Sequence, residues 1–332
     1  MNVRDATDAE IGQILEGTHP LWSDGLDPET YERFVRAMTT TSWARSGSYR
    51  FLVMPEPGGD LACAMKLYRL EARVEGVSRT FGGVGAVFTF PRHRRQGHAA
   101  AMITQAHAWM KQRGDAASLL HSEIGAPYYA RLGYRPFEPD AVTLRVPAEG
   151  PGSPDRLQVL DPETGDGLDA LMALRRHEDA TLPFVLERDR GYWEVLLARA
   201  GIPGRSLGKD RWESRIVHDP RGGFLWSLLR EPGPAAAHDG GAAARIMEFA
   251  ERSPGALLPG LMDDLFAACR ARGLSTVESW RGADLALRAP HLELQSVGPP
   301  SVVPMWMPLD EAAAPGIERA LRGAPLHLSE VF

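Results

Sequence analysis

The stretch Val84–Gly114, VGAVFTFPRHRRQGHAAAMITQAHAWMKQRG, decides how this chain is read. Val84 to Phe90 has the apolar run of a strand, and a helix follows from about His98 to Arg113, closed by Gly114. Between them lies the turn Arg94-Arg95-Gln96-Gly97-His98-Ala99. A strand that turns tightly into a helix N-terminus makes an anion site, because the first N–H groups of the helix lack intrahelical partners and the positive end of the helix dipole stands behind them. Gly97 and Ala99 leave the backbone open to a phosphate. Arg92, His93, Arg94 and Arg95 add local positive charge, which fits a multiply phosphorylated ligand.

That charge is local. The 332 residues carry 43 acidic against 37 basic side chains, a net charge of -6, so no overall field draws nucleic acid or an anionic membrane. At 44% hydrophobic and 24% charged, the composition is that of a folded protein of about two domains. Cys63 and Cys269 match no zinc or CxxC spacing, and read as buried apolar residues of a reducing compartment. The opening MNVRDATDAE carries three acids and no apolar run, and no stretch approaches the ~18 apolar residues of a membrane span, so a cytoplasmic protein is expected.

The segment Pro147–Arg156, PAEGPGSPDR, is the natural boundary, giving units of 1–147 and 156–332. Each unit runs in the same order: two helices, strands, a strand feeding a helix, a strand. Gly97 and Gly255 are 158 residues apart, Gly114 and Gly273 are 159 apart, and QRG and ARG close helices of similar length. The chain therefore reads as two copies of one mixed α/β unit, a sheet with helices on its faces.

Two commoner phosphate loops fail. GxxxxGK[ST] is absent, and Gly83-Val84-Gly85-Ala86-Val87-Phe88 lacks the third glycine of a dinucleotide fingerprint and lies at the expected start of a strand. The spacing of Arg94, Gly97 and Ala99 instead resembles the acetyl-CoA pyrophosphate loop of the GCN5-related N-acetyltransferase (GNAT) superfamily. Ser122 to Tyr134, SEIGAPYYARLGY, resembles the next strand end and helix of that superfamily. The wording around SLLHSEIG is also similar to fungal lysine N6-acetyltransferase-like proteins. The tandem layout is similar to the enhanced-intracellular-survival acetyltransferases, which carry a further sterol-carrier-like domain for which this chain is too short.

The resemblance implies a tandem GNAT-like fold, with acetyl-CoA as co-substrate between two splayed parallel strands, Val84–Phe90 and Ala117–Glu123. It places the acetyl and pantetheine beside Val87, Phe88 and Thr89, and the phosphates on Arg94, Arg95, Gln96, Gly97, His98, Ala99 and Ala100. A backbone N–H near Phe88 or Thr89 then steadies the oxyanion. Tyr129 matches the general acid for the departing thiolate, with packing against Tyr128 and Tyr134 as its bland alternative. An ε-amine with pKa near 10.4 costs about 4.6 kcal/mol to deprotonate at pH 7. Glu123 is the candidate base, with a surface or capping role as its alternative, and His121, His93 and the carboxylate of Phe332 rank behind it. Histidines 93, 98, 107 and 121 show no paired-ligand spacing, so no metal is expected.

The second copy keeps Arg252-Ser253-Pro254-Gly255. Pro254 removes an N–H, Leu257 adds bulk and Glu251 adds negative charge, so no cofactor is expected there. Trp193, Trp212, Trp226 and Trp280 are then either core or a wall of the acceptor cleft. The function expected is N-acetyl transfer to a primary amine of a small molecule or lysine, with no nucleic acid or membrane partner and a homodimer left open. The alternatives are a non-catalytic acyl-CoA-binding module and, more remotely, an anion-binding interaction module.

Overall fold

The computed structural model describes residues 2–23, 26–137, 141–159, 165–200, 205–207, 210–230, 244–296 and 302–322. In the first half, β1 (Arg4–Asp5) leads to α1 (Asp8–Trp22) and α2 (Pro28–Thr39). Local caps start both helices. Thr7 and Glu10 form a reciprocal capping box, and Asp27 accepts the Thr30 N–H at 3.0 Å just ahead of Pro28. The strands β2 (Tyr49–Pro55), β3 (Leu61–Val74) and β4 (Val77–Thr89) form an antiparallel meander. Then α3 (His98–Arg113) crosses to β5 (Ala117–Ser122), which runs parallel to β4. The short α4 (Ala126–Ala130), β6 (Arg135–Pro136) and β7 (Val142–Arg145) complete this half.

The second half runs β8 (Gln158–Val159), α5 (Gly165–Asp179), β9 (Phe184–Glu187), α6 (Arg190–Ala200), β10 (Arg205–Leu207), β11 (Asp210–Asp219) and β12 (Gly223–Arg230). After these come β13 (Ala244–Glu251), α7 (Leu258–Ala271), β14 (Thr276–Ser279), α8 (Gly282–Arg288), β15 (Leu294–Ser296), β16 (Val303–Pro308) and α9 (Ala314–Arg322). Here β13 and β14 are again parallel and joined by a helix. Gly97, Gly114, Gly255 and Gly273, whose spacing suggested a repeat, have φ of 83°, 85°, 78° and 69°, left-handed values that glycine adopts at little cost.

Among the described residues the strands make two eight-stranded mixed sheets, and these do not part at Pro147–Arg156. β16, from the far end of the chain, lies antiparallel to β5 in the first sheet, with Val303 opposite Ser122. β7, from ahead of the boundary, lies antiparallel to β14 in the second, with Val142 opposite Ser279. β9 also joins the first sheet, beside β3. The segments 1–147 and 156–332 thus exchange strands. Proline and glycine content reports where the chain turns, not which strand it pairs with next.

Packing follows the same exchange. One apolar cluster draws on both halves, with Trp43 and Tyr192 ring centroids 4.8 Å apart and Trp306 and Ile317 buried in it. Met102, Ile103, Ala106 and Met110 form the helical stripe that seats α3 on Leu52, Met65 and Val84. Burying each such side chain contributes about 1.5–3 kcal/mol. The glycines of Gly82–Gly85 lie in the middle of β4, not at its start, because neighbours crowd them. A side chain at Gly82 would collide with Met110, and one at Gly85 would come within 2.9 Å of Tyr68. Trp193, Trp212, Trp226 and Trp280 are buried, at 1–4% exposure, and the Trp280 ring lies 6.3 Å from that of His121 on β5. Both cysteines are buried, and burial pushes the Cys269 thiol up to about 12.

Candidate active site

Pairing between β4 and β5 runs from Phe81 opposite Ala117 to Val84 opposite Leu120 and stops there, although both strands continue. The register of β4 against β3 also slips at this point. Lys66 faces Gly85 but Ala64 faces Phe88, so Ala86 and Val87 together oppose Met65. This is a β-bulge, with Ala86 at φ 46°. Bulging takes backbone groups out of the ladder, and beyond Val84 the side of β4 turned toward β5 is no longer paired with it, while Phe88 and Thr89 stay paired with β3.

The turn at the top of the wedge is open. Arg95 and Gly97 are left-handed, at φ 63° and 83°, and successive N–H groups in alternating-hand backbone form an anion-binding concavity. The first bond into α3 is Ala101 N–H to Gly97 O at 3.0 Å, and among the described residues the N–H groups of Arg95 to Ala100 meet no acceptor. Nothing lies within 4 Å of where a Gly97 side chain would stand. Arg94, Arg95, Gln96 and Gly97 are exposed, Ala99 and Ala100 half-buried, and His98 buried. Arg94 Nε donates to the Thr89 carbonyl at 3.2 Å, tying its guanidinium to the end of β4.

At the other end of the wedge, the ring of Trp22, from the close of α1, meets Phe88 edge-on at 6.3 Å. Its indole N–H donates to Glu123 Oε2 at 3.4 Å, and Glu123 is exposed. Tyr129 on α4 sits between Tyr128 and Tyr134, at centroid distances of 5.0 and 6.0 Å. Burial, with lesser contributions from Tyr128, Glu123 and Cys63, pushes its hydroxyl up to about 12. Tyr134 is buried and hydrogen-bonds Ser118 Oγ at 2.6 Å and His107 Nε2 at 2.9 Å. Burial pulls His107 down to about 4, so it is neutral at physiological pH. A small cleft opens beside the bulge, lined by Ile14, Leu15, Trp22, Phe51, Lys66 and Ala86 among others.

Of the residues singled out in sequence, the fold brings Val87, Phe88, Thr89 and the turn residues to one wedge and Glu123 to its rim. Phe332 lies outside the described residues. Sequence spacing could not show that Glu56, in the β2–β3 hairpin, stands beside His93 and His98 at 3.8 and 3.4 Å.

The matching turn of the second half is filled. Glu251, the last residue of β13 and 1% exposed, accepts the N–H groups of Leu257 at 2.8 Å and Leu258 at 3.0 Å, and that of Gly255 as well. Three donors that a phosphate would use are taken by the chain's own carboxylate. Around it Arg288 approaches Glu251 at 3.8 Å, and Glu178 binds Arg175, Arg281 and Arg288.

The family model for the acetyltransferase (GNAT) domain matches residues 2–137. No curated protein sequence matches the chain. Among solved structures, a GCN5-related N-acetyltransferase from Anabaena variabilis ATCC 29413 is 14% identical, with TM-score 0.64 over 93% of this chain and 73% of its own. Eis1 from Mycobacterium abscessus is 16% identical, with TM-score 0.58 over 95% and 76%. Saccharomyces cerevisiae N-myristoyltransferase with bound myristoyl-CoA is 10% identical, with TM-score 0.53 over 92% and 78%. At such identities these structures share a fold with the whole chain. The match over residues 2–137 makes this segment similar to the acetyltransferase (GNAT) domain, and the solved structures share that fold.

Proposed function

We propose that the chain transfers an acetyl group from acetyl-CoA to a primary amine, of a small molecule or a lysine, by direct attack in the wedge of the first half. The observation that carries this reading is the sequence of three features along one strand: parallel pairing that ends at Val84, a bulge at Ala86, and an open donor turn from Arg95 to Ala100. The turn suits a pyrophosphate, and Arg94 and Arg95 add charge on its solvent side. The backbone of Val87, Phe88 and Thr89 suits the acetyl and pantetheine, and an N–H near Phe88 or Thr89 stabilises the oxyanion as the amine attacks.

In this reading Glu123 takes the ammonium proton, directly or through water, and the Trp22 indole holds its carboxylate at the rim. Tyr129 serves the leaving group. Its hydroxyl, near 12, lies above the ~8.5 of an ordinary thiol, so it stays protonated and stabilises the thiolate by donating a hydrogen bond more than by giving up its proton outright. In the second half the filled turn supports a structural role for that copy, with no cofactor of its own.

Replacing Tyr129 by Phe tests the reading. Turnover is expected to fall about a hundredfold with acetyl-CoA affinity unchanged. Unchanged turnover removes Tyr129 from the reaction, and failure of the wild-type chain to bind acetyl-CoA in calorimetry overturns the whole proposal.

A further inference from the structure

We propose that Glu56, His93 and His98 form a binding site for a divalent transition-metal ion that staples the two ends of the cofactor turn to the β2–β3 hairpin. Their donor atoms lie within 4.8 Å of one another: His93 Nδ1 is 3.8 Å and His98 Nε2 3.4 Å from Glu56 Oε1. In a tetrahedral site with bonds of about 2.0–2.2 Å, neighbouring donors stand about 3.3–3.6 Å apart. One of these pairs is already at that spacing, and the other is a few tenths of an ångström wider. Gln96 Oε1 lies 3.3 Å from His98 Nε2, so a fourth donor stands at the same spacing from that nitrogen, and the Gln96 amide N–H is held by the Arg92 carbonyl at 3.3 Å.

The three ligands come from fixed backbone. Glu56 opens a tight hairpin, its N–H bonded to Asp60 O at 2.8 Å and its carbonyl to Gly59 N–H at 2.9 Å. His93 closes a short turn through its N–H to Phe90 O at 2.9 Å, and His98 begins α3. His98 is 6% exposed, and His93 Nε2 is buried with no hydrogen-bond partner, so the Glu56 side of the ring carries its polar contact. Two imidazoles and one carboxylate suit zinc, cobalt or nickel, not magnesium or calcium, which take all-oxygen sets. The surroundings agree. Arg92 is paired with Asp60 at 3.0 Å, and the positive end of α3 lies nearby, so only an ion gaining from imidazole coordination overcomes the local charge. Residues 93 and 98 flank Arg94–Gly97, so an ion joining them to Glu56 holds the open turn in its donor-exposing shape.

The test uses the full chain without a polyhistidine tag, stripped by chelator and titrated with Co²⁺ alone, with no acetyl-CoA present. One equivalent is expected to bind with the ligand-field absorption of a four-coordinate nitrogen and oxygen site, and roughly tenfold or more weaker in Glu56→Gln and His93→Ala. Glu56→Gln is nearly isosteric and carries the test should His93→Ala fail to fold. No absorption at millimolar Co²⁺, or absorption retained in both variants, overturns the proposal. Either result is independent of whether the chain transfers acetyl groups.

Discussion

At Gly97 the space beside the turn is empty and six consecutive N–H groups, Arg95 to Ala100, meet no acceptor among the described residues, whereas at Gly255 the same kind of helix end is closed by Glu251. The cause lies in loop length. Gly97 stands eight residues beyond Thr89, the last residue of β4, while Gly255 stands only four beyond Glu251, the last of β13. With the shorter connection, the strand-final side chain reaches the helix N-terminus and caps it. With the longer one the strand end is remote, and a basic turn hangs open in front of α3. The same kind of helix N-terminus can therefore stand open or be closed by an internal strut, depending on whether the chain supplies the anion.

Removing the strut should have the largest effect. Glu251→Ala leaves three N–H groups without their acceptor inside the protein and strips Arg288 of a neighbouring carboxylate. A loss of about 3 kcal/mol is expected in urea unfolding, with acetyl-CoA affinity of the folded chain unchanged. A loss below about 1 kcal/mol would mean that Glu251 contributes no more than a surface cap. The converse change closes the receptor. Gly97→Val forces a β-branched residue to φ 83° and places its methyl groups over the donors. Acetyl-CoA should bind about a hundredfold more weakly, a change of about 2.7 kcal/mol, by calorimetry. Equal affinity would show that the phosphates lie elsewhere.

The halves also differ in what holds their polar interiors. Beneath α3 the network His107, Tyr134 and Ser118 is neutral, while between α5 and the start of α8 buried Arg175 and Arg281 are matched to Glu178 and Asp284. His107 sits near 4 in the folded chain against 6.5 unfolded. Between those values the unfolded chain binds more protons, so the contribution of His107 is complete above pH 6.5 and is lost as pH falls toward 4. About 2 kcal/mol should disappear between pH 6.5 and pH 5, and His107→Gln should flatten that slope. A slope that survives the substitution assigns the acid sensitivity to other groups.

Much of this was legible because it is local. The Thr7 and Glu10 box, Asp27 ahead of Pro28, and glycines after two helices each act within a few residues, and so does the open turn. What was not legible depends on long-range pairing. Nothing in VPMWMP tells that β16 joins β5, more than 180 residues earlier, or that Glu56 meets His93 and His98. Glu251 was legible as a charge hostile to phosphate, but its use as the cap depends on how far β13 runs before the turn. Trp212 and Trp226, on β11 and β12, are core because neighbouring elements cover them, which composition does not reveal.

The smallest expected effect separates charge from shape within the open turn. Arg94 is exposed and its Nε donates to Thr89 O, so it offers a phosphate one screened charge while bracing the end of β4. Arg94→Ala removes both, and Arg94→Lys keeps the charge but loses the planar donor that reaches Thr89. If charge is what matters, Ala should weaken acetyl-CoA binding about fivefold, or about 1 kcal/mol, Lys should restore most of it, and the difference should shrink as salt shortens the screening length. If the brace matters more, Lys should be as weak as Ala and the loss should persist at high salt. The Glu251 turn predicts the first result: there, backbone donors hold the carboxylate and Arg288, 3.8 Å away, adds charge to a site the backbone has already made.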